Sequence, residues 1–145
     1  MNNRINAIHE RALRIVYRDH DSTFEQLLMK DESYNIHERN LQRLATEIYK
    51  IKNNLAPEFM KDIFTDMKHP YNLRKKPEFK TCNVKTVFCG TETLSFRGPK
   101  VWSIVPDEIK ASNSLIEFKR KIKKWKPQGC ICRLCKTFLP QIGFI

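Results

Sequence analysis

Residues 36–55 read IHERNLQRLATEIYKIKNNL. His37, Leu41, Leu44, Ile48, Ile51 and Leu55 step by three and four, while Glu38, Arg39, Gln42, Arg43, Glu47 and Lys50 fall elsewhere on the wheel. A strand would alternate with a period of two, so this stretch is a helix with one apolar stripe. Asn53-Asn54 and then Pro57 close it, and Pro57 is well placed to begin a further helical turn, PEFMKDIF.

The same period continues toward the N-terminus. Ile5, Ile8, Ala12, Ile15 and Val16 recur at helical spacing, with Arg11, Arg14 and Arg18 on the other side, which predicts an amphipathic helix over residues 6–18. DHDSTFEQLL then offers Asp21 or Ser22 as N-cap, Glu25 in capping-box relation to Ser22, and Phe24, Leu27 and Leu28 as a short apolar stripe. Residues 1–66 are therefore expected to form a helical bundle.

Beyond it the texture changes. In HPYNLRKKPEF, Pro70 and Pro77 bracket a basic stretch that cannot be a helix interior, so residues 67–80 read as a connector. VKTVF and TETLSF carry β-branched and aromatic residues across a Cys89-Gly90 turn and predict a small β-hairpin ended by Gly98-Pro99. KVWSIV and DEIKAS read as short helical turns on either side of Pro106. Ser114 then caps a last helix in which Leu115, Phe118, Ile122 and Trp125 form the stripe, stopped by Pro127 and Gly129. The hairpin and these helices make up residues 81–126, and residues 127–145 form a cysteine-containing tail. The expected class is α+β, mostly α.

Charge divides the chain at the same boundary. Residues 1–66 hold 10 Lys/Arg against 11 Asp/Glu, whereas residues 67–145 hold 17 against 5, so the net charge of +11 belongs to the second half. This asymmetry favours a polyanionic partner, RNA or DNA, because lysines and arginines that neutralise phosphates release condensed counterions; a solvated basic surface is the alternative. The cations concentrate in LIEFKRKIKKWK: Lys119, Arg120, Lys121, Lys123, Lys124 and Lys126 take the positions left by the apolar stripe and should project outward. Arg97 and Lys100 join them as candidate phosphate contacts. Trp125 could stack on a base, but its spacing favours the core.

Five cysteines, an odd number, and no secretory leader pattern near Met1 argue against a disulfide framework. No apolar run reaches the roughly 20 residues of a membrane span. An intracellular protein of cytoplasm or nucleus is expected, with reduced thiols, no membrane partner and no small-molecule substrate. The tail places Cys130, Cys132 and Cys135 within six residues. Structural zinc wants four tetrahedral ligands, so Cys82, Cys89, His69 or another chain would have to supply the fourth. A redox pair at Cys132 and Cys135 and plain reduced thiols are the other readings of the cluster.

Catalysis finds no support. His9-Glu10 and His37-Glu38 open like the helical zinc-protease motif, but the second histidine is replaced by Leu13 and Leu41, and His37 reads as a packed core histidine. Asp31-Glu32 and Asp107-Glu108 are neighbours that point apart on a helix. Neither a glycine-rich phosphate loop nor a nucleophile elbow occurs.

Four pieces carry a family resemblance: Ser95-Phe96-Arg97, Gly98-Pro99-Lys100-Val101-Trp102, Val105-Pro106-Asp107-Glu108-Ile109, and Ser114-Leu115 leading to Phe118-Lys119 and the basic helix. In this order they resemble the region downstream of the polymerase core in reverse transcriptases of non-LTR retrotransposons of the jockey and CR1 kind. Ile8 to Val16 is similar to the helix after the palm, and Tyr71-Asn72-Leu73-Arg74 to an extended element of the same family. The resemblance implies a post-palm thumb and C-terminal portion without the palm aspartates, and hence without polymerase activity. It also implies an upstream polymerase core that would cover an apolar stripe on the N-terminal helices, so that poor solubility or oligomers are expected in its absence. The role implied is gripping RNA or DNA through phosphates. Two rivals stand beside it: a protein-interaction module with a zinc-stabilised tail, and a transposon relic with no function.

Overall fold

The computed structural model describes residues 2–67, 78–80, 82–83, 85, 90 and 93–127. Among them the chain is mostly helical: α1 (Asn2–Tyr17), α2 (Phe24–Lys30), α3 (Ile36–Lys52), a 3₁₀ turn (Glu58–Ile63), α4 (Leu94–Ile104), α5 (Asp107–Lys110) and α6 (Leu115–Lys124). It divides into two compact units, Met1–Arg43 and Leu44–Ile145.

Local chemistry explains the helix ends. Thr23, and not Asp21 or Ser22, caps α2: its hydroxyl accepts from the Gln26 N–H, and the Gln26 side chain accepts from the Thr23 N–H at 2.8 Å. Ser22 is unavailable because Asp19 accepts both its N–H at 3.0 Å and its hydroxyl at 2.8 Å. Asn35 and Glu38 form a second reciprocal box at the start of α3. Helices α1, α2 and α3 end on Arg18, Glu32 and Asn54 at positive φ, and the paired reverse-turn bonds at each end satisfy the last carbonyls. Leu55 therefore lies past α3 and is exposed, unlike the rest of the expected stripe. Pro57 is the N-cap of the 3₁₀ turn, one position before its first residue.

In the first unit, Leu13 of α1 packs with Leu27 and Leu28 of α2, and Tyr17 and Phe24 close the cluster. Tyr17 donates its hydroxyl to Asp31 at 2.9 Å, Asn6 accepts the Ile36 N–H at 3.1 Å, and His9 meets the Phe24 ring edge-on. The second unit is built on a run of aromatic rings. Phe64, Phe79, Trp102, Phe118 and Tyr49 follow one another at centroid distances of 5.0, 6.3, 6.2 and 4.2 Å, and the Tyr49 hydroxyl donates to the buried Ser112 carbonyl at 2.7 Å. Such rings bury more apolar area per residue than any aliphatic side chain and add edge and stacking attraction.

The expected hairpin is absent from the described residues. Leu94–Phe96, assigned to its second strand, open α4 behind an extended Thr93; VKTVF lies outside the described residues except for Lys85. Strand pairing among the described residues is confined to an isolated antiparallel bridge, Asp66 with Phe79. Gly98 and Pro99, expected as a stop, are buried inside α4 with Val101 and Trp102. Tertiary packing overrides their breaking tendency, since a Cβ on Gly98 would lie 2.5 Å from Cε1 of the Phe64 ring. Gly98→Ala is therefore expected to destabilise the fold by about 1–3 kcal/mol through overpacking, despite alanine's better helix propensity. A denaturant midpoint at or above wild type would contradict the tight fit.

One polar cluster flanks the rings. Glu78 is ion-paired with Lys52 and with Lys110, and both ammonium groups sit over the Trp102 ring, at 5.5 and 5.6 Å from its centroid. Burial pushes the Glu78 carboxyl up, but hydrogen bonding from Lys52 and Trp102 and the charges of Lys52 and Lys110 outweigh it and hold the group below its usual range. The indole N–H of Trp102 is buried and meets no acceptor in good hydrogen-bond geometry, yet its dipole still favours the ionised Glu78. A depressed carboxylate stabilises the fold above its unfolded pKa, and the gain is lost as pH falls through the lower folded value. Glu78→Gln should thus cost about 1 kcal/mol near neutrality after solvent screening, with the gap to wild type closing below about pH 4 in melts across pH.

Candidate nucleic-acid interface

Helix α6 is placed by its cap and its stripe. The Ser114 hydroxyl accepts the Glu117 N–H at 3.2 Å, as expected from the sequence. Phe118, Ile122 and Trp125 are buried, which turns the intervening residues outward. Trp125 is thus a core residue and offers no ring for a base to stack on. Lys119, Arg120, Lys123, Lys124 and Lys126 are exposed, and Lys121 is half-buried.

The six cations are not equivalent. Lys121 pairs with Glu117, four residues back, at 2.7 Å and reaches the Glu108 carbonyl at 3.3 Å. The Glu117 carboxyl falls below its usual range, first through that hydrogen bond and then through the Asn113 N–H, with the charges of Lys121 and Arg120 adding to it. It is the sole acid on α6. Lys119, Lys124 and Lys126 are paired with no described acidic side chain and keep their full charge available. Lys121, Lys123 and Lys124 also stand in the last turn, where the helix's own dipole favours positive charge, so the cluster costs the fold little.

From Lys119 to Lys124 the helix advances about 7.5 Å, a length over which a duplex presents roughly four phosphate charges. An apolar residue, Ile116, stands 82% exposed on the same side, one turn before Lys119 and Arg120.

The other predicted contacts are placed differently. Arg97 and Lys100 belong to α4: the Lys100 ammonium lies 3.8 Å over the Phe96 ring, and Arg97 is half-buried with an interaction of its own. Lys100 is exposed and Arg97 is not, and both stand on α4, apart from the run of cations along α6. Cys130, Cys132 and Cys135 lie outside the described residues, as do His69 and Cys89 among the proposed fourth zinc ligands. Cys82 is half-buried, with its thiol 3.5 Å from the Ser95 hydroxyl. No described group of three or more His, Cys, Asp or Glu is placed to hold a metal ion. His37, expected in the core, is half-buried and has a partner. No described helix is long and apolar enough to cross a membrane.

Two features escaped sequence reasoning. The cluster of Glu78, Lys52, Trp102 and Lys110 brings Lys52 and Glu78 to the neighbouring helices α4 and α5 from well upstream and leaves no local signal. The open apolar stripe expected on the N-terminal helices is found on α1, where Ile8, Ile15 and Val16 are exposed, but periodicity does not say which of its residues α2 covers. No protein-family model matches the chain, and no curated protein or solved structure does either.

Proposed function

We propose that this chain binds RNA or DNA through the phosphate backbone, without base preference and without catalysing a reaction, as the C-terminal portion of a non-LTR retrotransposon reverse transcriptase acting in cytoplasm or nucleus. The observation that carries the reading is the α6 face: five exposed cations and one half-buried one on a segment whose Phe118, Ile122 and Trp125 are buried. A cationic helix with a buried back and no open aromatic ring can neutralise phosphates but has nothing to read bases with. The motif order from Ser95 to the basic helix supports the retroelement assignment, and the lack of palm aspartates supports a noncatalytic role.

Duplex DNA binding should then fall with salt, and each phosphate contact contributes about 0.9 to the slope of log affinity against log salt. Lys119→Ala, Lys124→Ala and Lys126→Ala should each reduce that slope by about 0.9, and Lys121→Ala by less because Glu117 already holds its charge. Fluorescence anisotropy with two unrelated duplexes checks both points. Strong preference for one duplex, or a slope indifferent to these substitutions, would overturn the reading.

A further inference from the structure

Helix α1 carries a surface that nucleic-acid binding does not use. Leu13 and Tyr17 face α2, whereas Ile8, Ile15 and Val16 are 66%, 75% and 71% exposed, and Ile5 and Ala12 are exposed beside them. Ile5, Ile8, Ala12 and Ile15 step by three, four and three, the period of a helix-pairing seam. Arg4 and Arg11 repeat at seven along one edge of the seam, so Arg11 flanks the stripe instead of standing on the opposite side expected for it, and Arg18 lies past the helix end. The one acid of α1, Glu10, is held on another side by Arg14 at 2.7 Å.

We infer that this face seats an amphipathic helix of a partner protein, one whose apolar seam is flanked by carboxylates. Charge and shape choose that occupant. The small Ala12 between Ile8 and Ile15 lets a second helix approach closely, and Arg4 and Arg11 occupy the flanking heptad position, where forked guanidinium groups pair with carboxylates. A second copy fits badly: antiparallel pairing sets arginine against arginine, and parallel pairing sets them against His9 and Val16. A lipid surface is served by cations on both edges and by bulky aromatic anchors, and this seam has arginine on one edge and no aromatic residue. The inference stands apart from the α6 reading.

The test uses the full chain and a labelled three-heptad synthetic helix with leucine at the seam and glutamate at its flanks; a lysine-flanked version is the control. The glutamate helix should bind at least about tenfold more tightly than the lysine helix. Ile8→Asp with Ile15→Asp, or Arg4→Glu with Arg11→Glu, should abolish that binding with the far-ultraviolet circular dichroism unchanged, since all four side chains are exposed. Charge reversal on α6 should leave it intact, so its failure and that of the nucleic-acid reading are told apart. Equal or absent binding of the two helices overturns the inference. So does a chain that sediments as a dimer until Ile8 and Ile15 are replaced, or one that binds anionic vesicles through these residues and ignores the helix.

Discussion

Phe118→Ala should cost about 3–5 kcal/mol, a large share of the total for a domain of this size. Phe118 is fully buried, stacks on Tyr49 at a centroid distance of 4.2 Å and on Trp102 at 6.2 Å, and is the residue through which α6 joins the aromatic run. Its removal leaves a ring-sized cavity between two aromatic neighbours that cannot both collapse into it. A fall in Tm of about 10–20 °C is the expected size for a chain of this length. Phe118→Leu, which keeps most of the apolar volume, should lose only about 1–2 kcal/mol. The cationic face depends on the same seat, so Phe118→Ala should also weaken nucleic-acid binding at temperatures where α6 has detached. Melts within about a degree of wild type would show that the rings do not hold the second unit together.

The second large effect concerns charge. Reversing Lys119, Lys121, Lys123 and Lys124 to Glu turns the face proposed to meet phosphates into a repulsive one and places carboxylates in the last turn of a helix, where the dipole disfavours them. The loss of phosphate contacts and their replacement by repulsion should lower affinity for duplex DNA by at least about a thousandfold at low salt. Some helix stability goes with it, so the matching four-glutamine variant separates the two causes. Glutamine removes the charge with little change in helix propensity and should lose most of the binding while melting close to wild type.

What was legible in the sequence was whatever local pattern and burial agreed upon. In α3, Leu41, Ile48 and Ile51 fall on one periodic stripe and each is buried; in α6, Ser114 caps and Phe118, Ile122 and Trp125 turn inward. Where a neighbour intervened, the reading shifted. Asp19 takes the Ser22 hydroxyl, so the cap of α2 moves on to Thr23. Leu94–Phe96 looked like a strand because their side chains suit one and because Gly98-Pro99 looked like a stop. The ring of Phe64 against Gly98, with Trp102 a turn further on, makes a buried helix of the segment instead. The cations of α6 could be counted from sequence, but their difference in availability could not: Lys121 is matched to Glu117 by helical geometry, and Lys100 is drawn onto Phe96.

The central proposal is that the α6 face holds nucleic acid. Its most direct test is retention of the folded protein on a duplex DNA column at low salt, comparing wild type with the four-glutamine variant. Wild type should be retained and elute in a single step as salt rises, while the variant, with an unchanged melt, should pass in the void volume. Equal retention of the two would contradict the account.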